Sequence, residues 1–259
     1  MRKLNALIFD VDGTLAETEE AHRVAFNEIF NEYDLDWNWN VQLYGELLAV
    51  AGGKERIKFY IESYRPDFKS PDDLTAWIAK LHQQKTVRYN EIITNRPIPL
   101  RPGVRRLIEE ARREKIRLAI ATTTSLQNVV NLLKSSLAPD AITWFDVIAA
   151  GDMVSAKKPS PELYHYALKE LELPAEQCIA FEDSKIGLQA AMGANIPTLI
   201  TASNYTRHQD FTGALLALDN LGEPDHPFTV LAGDAGNARY VDMALLRSFY
   251  EYTKQKSNW

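Results

Sequence analysis

The chain has 259 residues, of which 46% are apolar and 25% charged, and its formal net charge is −6. This length predicts one large domain or two smaller ones, and the composition is that of an ordinary globular protein. The acidic balance argues against nucleic acid or a membrane as partner, since both demand basic patches, and no apolar run approaches the roughly 20 residues that span a bilayer.

The first predicted element is a buried strand that opens at Leu4 and ends in the run Leu7-Ile8-Phe9-Asp10-Val11-Asp12-Gly13-Thr14. Gly13 marks the turn, and Asp10 and Asp12 stand two residues apart where the apolar stretch breaks. In an open α/β sheet this end of a strand is where ligands bind. The pair therefore predicts one carboxylate that acts as nucleophile and metal ligand, and a neighbour that acts as acid and base.

Helical patterns fill the next segment, in which no strand is predicted. Helices are expected over Glu17–Asn31 and Lys54–Tyr64, and a third is capped by Ser70, begins at Pro71 and continues to Tyr89. Helix and strand alternate from there on. The predicted strands are Arg117–Ala121, Val147–Ala150, Cys178–Phe181, Pro197–Ile200 and, as an edge, Ala214–Leu218. The predicted helices are Val104–Arg113, Ser125–Ser135, Pro161–Leu171 with Ser160 as N-cap, Ile186–Met192 and Val241–Tyr252, with a loop over Gly222–Gly236.

This alternation predicts an α/β fold, with a Rossmann-like parallel sheet and helices on both faces. The expected domains are a core of residues 1–16 and 96–259 and an inserted all-helical cap of residues 17–95. Met1-Arg2-Lys3 leads straight into the first strand, so we expect no leader here. The single cysteine, Cys178, excludes an internal disulfide. We expect a monomer in the cytoplasm, or in the plastid stroma if a transit peptide has been removed.

Three later strand ends carry polar groups that suit a phosphate ester. Thr122-Thr123-Thr124-Ser125 offers hydroxyls and a helix N-terminus, Lys157-Lys158 offers an ammonium group, and Glu182-Asp183 repeats the paired carboxylates. Taken singly, the first is an extended N-cap and the second a solvated lysine pair. Together, Asp10 and Asp183 suit a hard cation such as Mg²⁺.

The motifs Asp10-x-Asp12-Gly13-Thr14, Thr122, Lys158 and Glu182-Asp183 resemble, in order, those of the haloacid dehalogenase superfamily. Lys158 is preferred to Lys157 because the family lysine precedes proline. The resemblance implies catalysis by Asp10, Asp12, Thr122 and Lys158. It also implies Mg²⁺ held by Asp10, by the backbone carbonyl of Asp12 and by Asp183, with Glu182 just outside the ligand set. Thr14 favours a phosphatase over a phosphomutase.

In this superfamily, a helical insertion after the first motif is a cap that closes over the substrate. Gly52 and Gly53 expose backbone N–H groups at a helix start and two cations follow, which predicts a site for a second phosphate. The residues expected to bind substrate are Glu19, His22, Tyr44, Gly52, Gly53, Lys54, Arg56, Lys85, Thr122, Thr123 and Lys158. Plainer interpretations remain for the cap residues, namely a surface histidine, solvated cations and a packing role for Tyr44.

A narrower resemblance, over about residues 4–213, is to the CbbY group. It rests on Ala16-Glu17-Thr18-Glu19-Glu20, Gly52-Gly53-Lys54-Glu55-Arg56-Ile57, Ala150-Gly151-Asp152-Met153-Val154 and Tyr205-Thr206-Arg207-His208. The resemblance implies a phosphatase that converts xylulose-1,5-bisphosphate, an inhibitor of rubisco, to xylulose 5-phosphate. A small phosphorylated sugar is thus the expected partner.

Three alternatives stay open at this stage. They are a phosphomutase similar to β-phosphoglucomutase, a general sugar-phosphate phosphatase, and a binding protein on an inactive scaffold of the same family. A dinucleotide-binding domain is disfavoured, because no Gly-x-Gly-x-x-Gly follows the first strand.

Overall fold

The fold is described from a computed structural model that covers residues 3–256, with only the backbone described for 252–256. The chain divides into two compact units. The core unit joins the residues up to Glu17 with those from Pro99 onward, and the helical unit spans Thr18–Ile98.

Over the described residues, the core unit is built on a seven-stranded sheet in the order β3-β2-β1-β4-β5-β6-β7. The strands are β1 (Ala6–Phe9), β2 (Arg117–Ala121), β3 (Val147–Ala149), β4 (Cys178–Glu182), β5 (Thr198–Thr201), β6 (Leu216–Leu218) and β7 (Val230–Ala232). All neighbouring strands are parallel except β6 and β7. The predicted α/β class with a parallel sheet is confirmed.

Helices alternate with strands β1 to β5 in the core unit, and four helices make up the described helical unit. The helices are α1 (Glu19–Glu32), α2 (Val41–Leu47), α3 (Gly53–Tyr64), α4 (Leu74–Asn95), α5 (Val104–Arg113), α6 (Leu126–Ser136), α7 (Glu162–Leu171), α8 (Lys185–Gly193) and α9 (Met243–Lys256). Across the part of the chain that the structure describes, none of them combines the length and the apolar character needed to cross a membrane.

Strand β1 lies in the middle of the sheet because its side chains are apolar on both faces. All four of its residues are fully buried, as expected for a parallel strand covered on both sides. In the register, Phe9 is opposite Ile120 of β2 and Phe181 of β4. The polar residues that follow these three strands are therefore brought to one edge of the sheet.

The helical unit is held together by its own apolar contacts. Ala21 and Ala25 of α1 pack against Tyr89 and Ile93 of α4, where the small alanine side chains let the two helices approach closely. Trp39 is fully buried next to this pair of helices, with its ring 4.6 Å from that of Phe26.

The predicted start of the helix at Pro71 is wrong. Helix α4 begins at Leu74, and its N-cap is Asp73, whose carboxylate accepts a hydrogen bond from the backbone N–H of Ala76 at 2.9 Å. Ser70 and Asp73 are both good caps, and the later one is used. The helix also continues past Tyr89 to Asn95, since Ile93 still faces the apolar contact with α1.

One short α-helix and one strand were not predicted, and one cap was assigned to the wrong residue. Helix α2 has only seven residues, and β7 lies inside the segment predicted as a loop. All three side chains of β7 are exposed, so the sequence shows no buried alternation there. The N-cap of α7 is Pro161, although the hydroxyl of the neighbouring Ser160 accepts a long bond from the N–H of Glu162 at 3.4 Å.

Candidate active site

Three carboxylates meet at the carboxyl edge of β1 and β4. Asp10, Glu182 and Asp183 are buried, and each offers an oxygen within 4.8 Å of the others. The sheet register causes this, because the N–H of Asp10 donates to the carbonyl of Phe181 at 2.9 Å, next to Glu182. The side chain of Asp12 is not part of this group, and the metal ligand expected from that residue is its backbone carbonyl.

Lys158 joins the site from the loop that follows β3. Its Nζ donates to Asp10 Oδ1 at 2.6 Å and to the carbonyl of Ala121 at 2.8 Å, and lies 2.5 Å from Glu182 Oε1. Burial alone would lower the pKa of Lys158, but the carboxylates of Asp10 and Glu182 outweigh it and raise that pKa. The lysine is therefore a fixed positive charge beside Asp10.

Burial is also the main reason why the pKa of Asp10 rises to about 7, with Lys158 opposing the rise and Glu182 adding to it. Three buried carboxylates face one buried ammonium group here, which leaves excess negative charge when all are ionised. A divalent cation with oxygen ligands would neutralise that excess. The donor set therefore fits a divalent metal, which this acidic cluster could bind.

Glu182 is turned toward α7 and Lys158. Its Oε1 accepts the hydroxyl hydrogen of Tyr164 at 2.5 Å. Gly187, in the first turn of α8, lies so close to this carboxylate that a Cβ there would collide with it. Glu182 is thereby held between a phenol and an ammonium group.

The turn after β1 places Asp12 and Thr14. Gly13 has φ +80°, and a Cβ at this residue would collide with the carboxylate of Asp183, so only glycine fits. The N–H of Thr14 bonds the carbonyl of Val11 at 3.2 Å and closes the turn. Asp183 is held from the other side by Thr206, whose hydroxyl donates to its Oδ2 at 3.3 Å.

Thr122 is buried just beyond β2, at the same edge of the sheet. Its N–H bonds the carbonyl of Ala149 at 2.9 Å, and its hydroxyl accepts a weak bond from the N–H of Thr124 at 3.3 Å. Thr123 is half-buried beside it, and Ser125 caps α6 with a bond from Asn128 at 3.3 Å. Hydroxyl groups at the N-terminus of a helix suit a phosphate oxygen.

Within the helical unit, Tyr44 links Glu19 to Arg56. The Tyr44 hydroxyl donates to Glu19 Oε2 at 2.7 Å and accepts from Arg56 Nη1 at 3.2 Å. Arg56 also donates to the carbonyls of Leu47 and Val50, both at 3.2 Å. Tyr44 is fully buried, and the guanidinium of Arg56 holds the chain that precedes α3.

His22 and Lys85 form a second buried pair in this unit. Lys85 Nζ lies 2.6 Å from His22 Nδ1, and the His22 ring stacks on Tyr89 with centroids 3.9 Å apart. The ammonium group also lies over the rings of Phe26 and Tyr89. Lys85 is thus a buried residue, 4% exposed, rather than a solvated helix cation.

Gly52 and Gly53 lie at the start of α3, the position predicted for the second phosphate. Gly52 is the N-cap with φ +91°, and Lys54 follows half-buried in the first turn. A Cβ on Gly53 would collide with the ring of His82. Both glycines are therefore dictated by the backbone or by close packing at this turn.

Sequence reasoning gave no site role to three residues that hold the site together, namely Arg101, Tyr164 and Thr206, although Thr206 lies in the run Tyr205-Thr206-Arg207-His208 quoted for the resemblance. Tyr164 lies in the first turn of α7, and no periodicity in the sequence relates it to Lys158 or to Glu182, 18 positions away. Arg101 and Thr206 act over long sequence separations and leave no local pattern.

The chain matches a known protein family and is similar to known proteins. Residues 7–201 match the family model described as haloacid dehalogenase-like hydrolase. The chain is 49% identical over 220 residues to protein CbbY of Cereibacter sphaeroides, covering 85% of this chain and 94% of the relative. It is 43% identical to the plasmid-encoded CbbY of Cupriavidus necator, covering 96% of this chain and 98% of the relative.

The fold is also similar to that of a solved CbbY structure. A variant of CbbY from Rhodobacter sphaeroides in complex with xylulose-(1,5)bisphosphate superposes with a TM-score of 0.79. It is 48% identical and covers 84% of this chain and 94% of that one.

Proposed function

Since this chain belongs to the haloacid dehalogenase-like hydrolase family, we propose that it is a Mg²⁺-dependent sugar-bisphosphate phosphatase with xylulose-1,5-bisphosphate as substrate. The single observation that carries the chemistry is the buried group of Asp10, Lys158 and Asp183 at the edge of β1 and β4. The substrate is supported by the CbbY structure that contains that sugar bisphosphate.

Asp10 is the nucleophile in this proposal. A carboxylate oxygen attacks the phosphorus in line, an aspartyl phosphate forms on Asp10, and the bond to the sugar oxygen breaks. Asp12 donates a proton to that oxygen, and later takes one from the water that hydrolyses the intermediate and releases phosphate. Lys158, 2.6 Å from Asp10, favours the ionised form of the nucleophile and offsets the charge of the phosphoryl group.

We assign the metal to the carboxylates of Asp10 and Asp183 together with the backbone carbonyl of Asp12. When bound, Mg²⁺ supplies positive charge that reduces the repulsion between Asp10 and the phosphoryl group. We leave Glu182 outside the ligand set, because Tyr164 and Lys158 occupy its Oε1 and its Oε2 faces Gly187. Thr122 and Thr123 receive the phosphoryl oxygens from the direction of β2.

The second phosphate of the substrate binds the turn of Gly52, Gly53 and Lys54 in this proposal. Arg56 supports that turn through the carbonyls of Leu47 and Val50, so we assign it a structural part in the phosphate site. His22, held by Lys85, and Glu19, held by Tyr44, are polar groups fixed in the same unit for the sugar hydroxyls. Removal of the 1-phosphate leaves xylulose 5-phosphate.

The deciding experiment is phosphate release from purified protein with a panel of phosphate esters. The panel holds xylulose-1,5-bisphosphate, ribulose-1,5-bisphosphate, fructose-1,6-bisphosphate, glucose 1-phosphate and p-nitrophenyl phosphate. We expect the highest kcat/KM with xylulose-1,5-bisphosphate. Conversion of glucose 1-phosphate to glucose 6-phosphate without net phosphate release would instead identify a phosphomutase.

A further inference from the structure

Arg101 is buried next to the turn that follows β1, and its two terminal nitrogens donate hydrogen bonds to backbone carbonyls. Its side chain donates to the carbonyl of Gly13, to that of Thr201 at 2.6 Å, to that of Ala202 at 2.7 Å and to that of Asp219 at 2.5 Å. It also forms an ion pair with Glu17, Nε to Oε1, at 3.4 Å. The residue is 7% exposed.

These carbonyls belong to the two turns that orient the candidate catalytic carboxylates. Gly13 immediately follows Asp12, so its carbonyl fixes the orientation of the turn that carries the proposed acid and base. Thr201 and Ala202 lead into the turn in which the Ser203 N–H bonds the hydroxyl of Thr206 at 2.8 Å. That same hydroxyl donates to Asp183.

The burial of a guanidinium costs desolvation free energy. Hydrogen bonds to the four carbonyls offset this cost only when all four carbonyls lie in reach of the donors. Each of the two terminal nitrogens of the planar guanidinium donates to two carbonyls. Nη1 donates to those of Gly13 and Thr201, and Nη2 donates to those of Ala202 and Asp219. A lysine ammonium donates from a single atom and cannot span the same four groups. This arrangement is therefore specific to arginine.

We propose that Arg101 is a positioning residue of this phosphatase, which fixes Asp12 relative to Asp183 by tying the turn after β1 to the turn after β5. The inference rests on the proposed function for its kinetic readout, but its effect on metal binding can be measured without turnover. In this proposal Arg101 acts on the two carboxylates through the backbone bonds described above.

The test compares Arg101→Lys and Arg101→Gln with Arg106→Lys. Arg106 is the matched control, because it too donates to backbone carbonyls, but those of Gly222 and Val241, which do not belong to the turns that carry Asp12 and Asp183. For each protein we would measure the melting temperature, the Kd for Mg²⁺ by calorimetry, and kcat and KM for xylulose-1,5-bisphosphate and p-nitrophenyl phosphate.

For both Arg101 variants we expect kcat to fall by about 100-fold on both substrates, with KM changed much less, because a small misplacement of a reacting group has this effect. The Mg²⁺ Kd should rise by about tenfold, as it does when the groups that orient metal ligands are lost. Arg106→Lys should lower the melting temperature while it keeps the wild-type kcat and Mg²⁺ Kd.

Equal losses of melting temperature in the Arg101 and Arg106 variants, with kcat and Mg²⁺ affinity unchanged, would overturn the proposal and leave Arg101 a stability residue. Failure of both Arg101 variants to fold, while Arg106→Lys folds, would lead to the same conclusion. A wild-type protein that binds Mg²⁺ but hydrolyses neither ester would refute the proposed function instead, and the Mg²⁺ titration would still decide on Arg101.

Discussion

Tyr164 donates its hydroxyl hydrogen to Glu182 Oε1 at 2.5 Å, and both side chains are buried. Burial, with the nearby charges of Glu182 and Asp10, raises the pKa of the Tyr164 phenol well above its usual value. The phenol therefore stays protonated and acts as a donor. Because Lys158 lies 2.5 Å from the same oxygen, the position of Glu182 fixes the lysine beside Asp10.

Replacement of Tyr164 by phenylalanine should remove this bond and little else. The buried carboxylate of Glu182 would lose a donor, which costs about 1–3 kcal/mol of unfolding free energy. We expect kcat to fall because Lys158 is less well held, and urea unfolding with steady-state kinetics would measure both effects. Tyr166→Phe is the matched control, since Tyr166 is half-buried on the same helix and should change stability by less than about 0.5 kcal/mol. Identical behaviour of the two variants would show that Glu182 does not depend on Tyr164.

Asp10→Asn should abolish the reaction at its first step. An amide has no carboxylate oxygen to attack phosphorus, so phosphate release should fall by about a thousandfold or more. The acid-stable phosphoprotein seen after a short incubation of wild type with labelled substrate should be absent. Asp210→Asn serves as control, because Asp210 is an exposed residue that accepts bonds from Thr212 in a surface turn. Full activity in Asp10→Asn would rule out this nucleophile.

Metal binding should stabilise the protein even without substrate. Mg²⁺ would neutralise charge among Asp10, Glu182 and Asp183, so it binds the folded state in preference to the unfolded one. At 100 times its Kd, a ligand adds about 2.7 kcal/mol to the unfolding free energy. Chemical denaturation with and without Mg²⁺ measures this increment, which we expect to be much smaller in Asp183→Asn. Phosphate release that persists in EDTA, together with no Mg²⁺ effect on unfolding, would exclude a metal-dependent mechanism.

The sheet and the arrangement of its polar edge follow from local patterns in the sequence. An uninterrupted apolar run such as Leu7-Ile8-Phe9 is the sequence pattern of a parallel strand that is buried on both faces, and it therefore predicts a strand. Parallel strands then bring Asp10 and Asp183 to one edge, and hence close together. Strand β7 was not predicted, because its three residues are exposed and do not form part of a longer apolar run.

The supporting contacts could not be predicted in the same way. Arg101 bonds Gly13, 88 positions away in the sequence, and Tyr164 bonds Glu182, 18 positions away. Nothing local distinguishes these side chains from any other arginine or tyrosine. The role of Glu182 next to Asp183 also depends on which partner each carboxylate meets, and only the packed structure gives those partners.

The two cations of the turn before α3 should differ in their effects. Lys54 lies half-buried in the first turn beside Gly52 and Gly53, whereas Arg56 is bonded to the carbonyls of Leu47 and Val50. We therefore expect Lys54→Met to raise KM for xylulose-1,5-bisphosphate by about tenfold, which is the loss of one charge-assisted contact of about 1.4 kcal/mol. KM for p-nitrophenyl phosphate, which has a single phosphate, should stay the same, and so should the melting temperature.

Lys58→Met is the control, because Lys58 lies on the same helix with its side chain 63% exposed and should leave both KM values unchanged. Arg56→Met should instead lower the melting temperature, since it removes the side-chain bonds to the carbonyls of Leu47 and Val50 in the segment before α3. An equal rise of KM for both substrates in Lys54→Met would remove the assignment of the second phosphate to this turn.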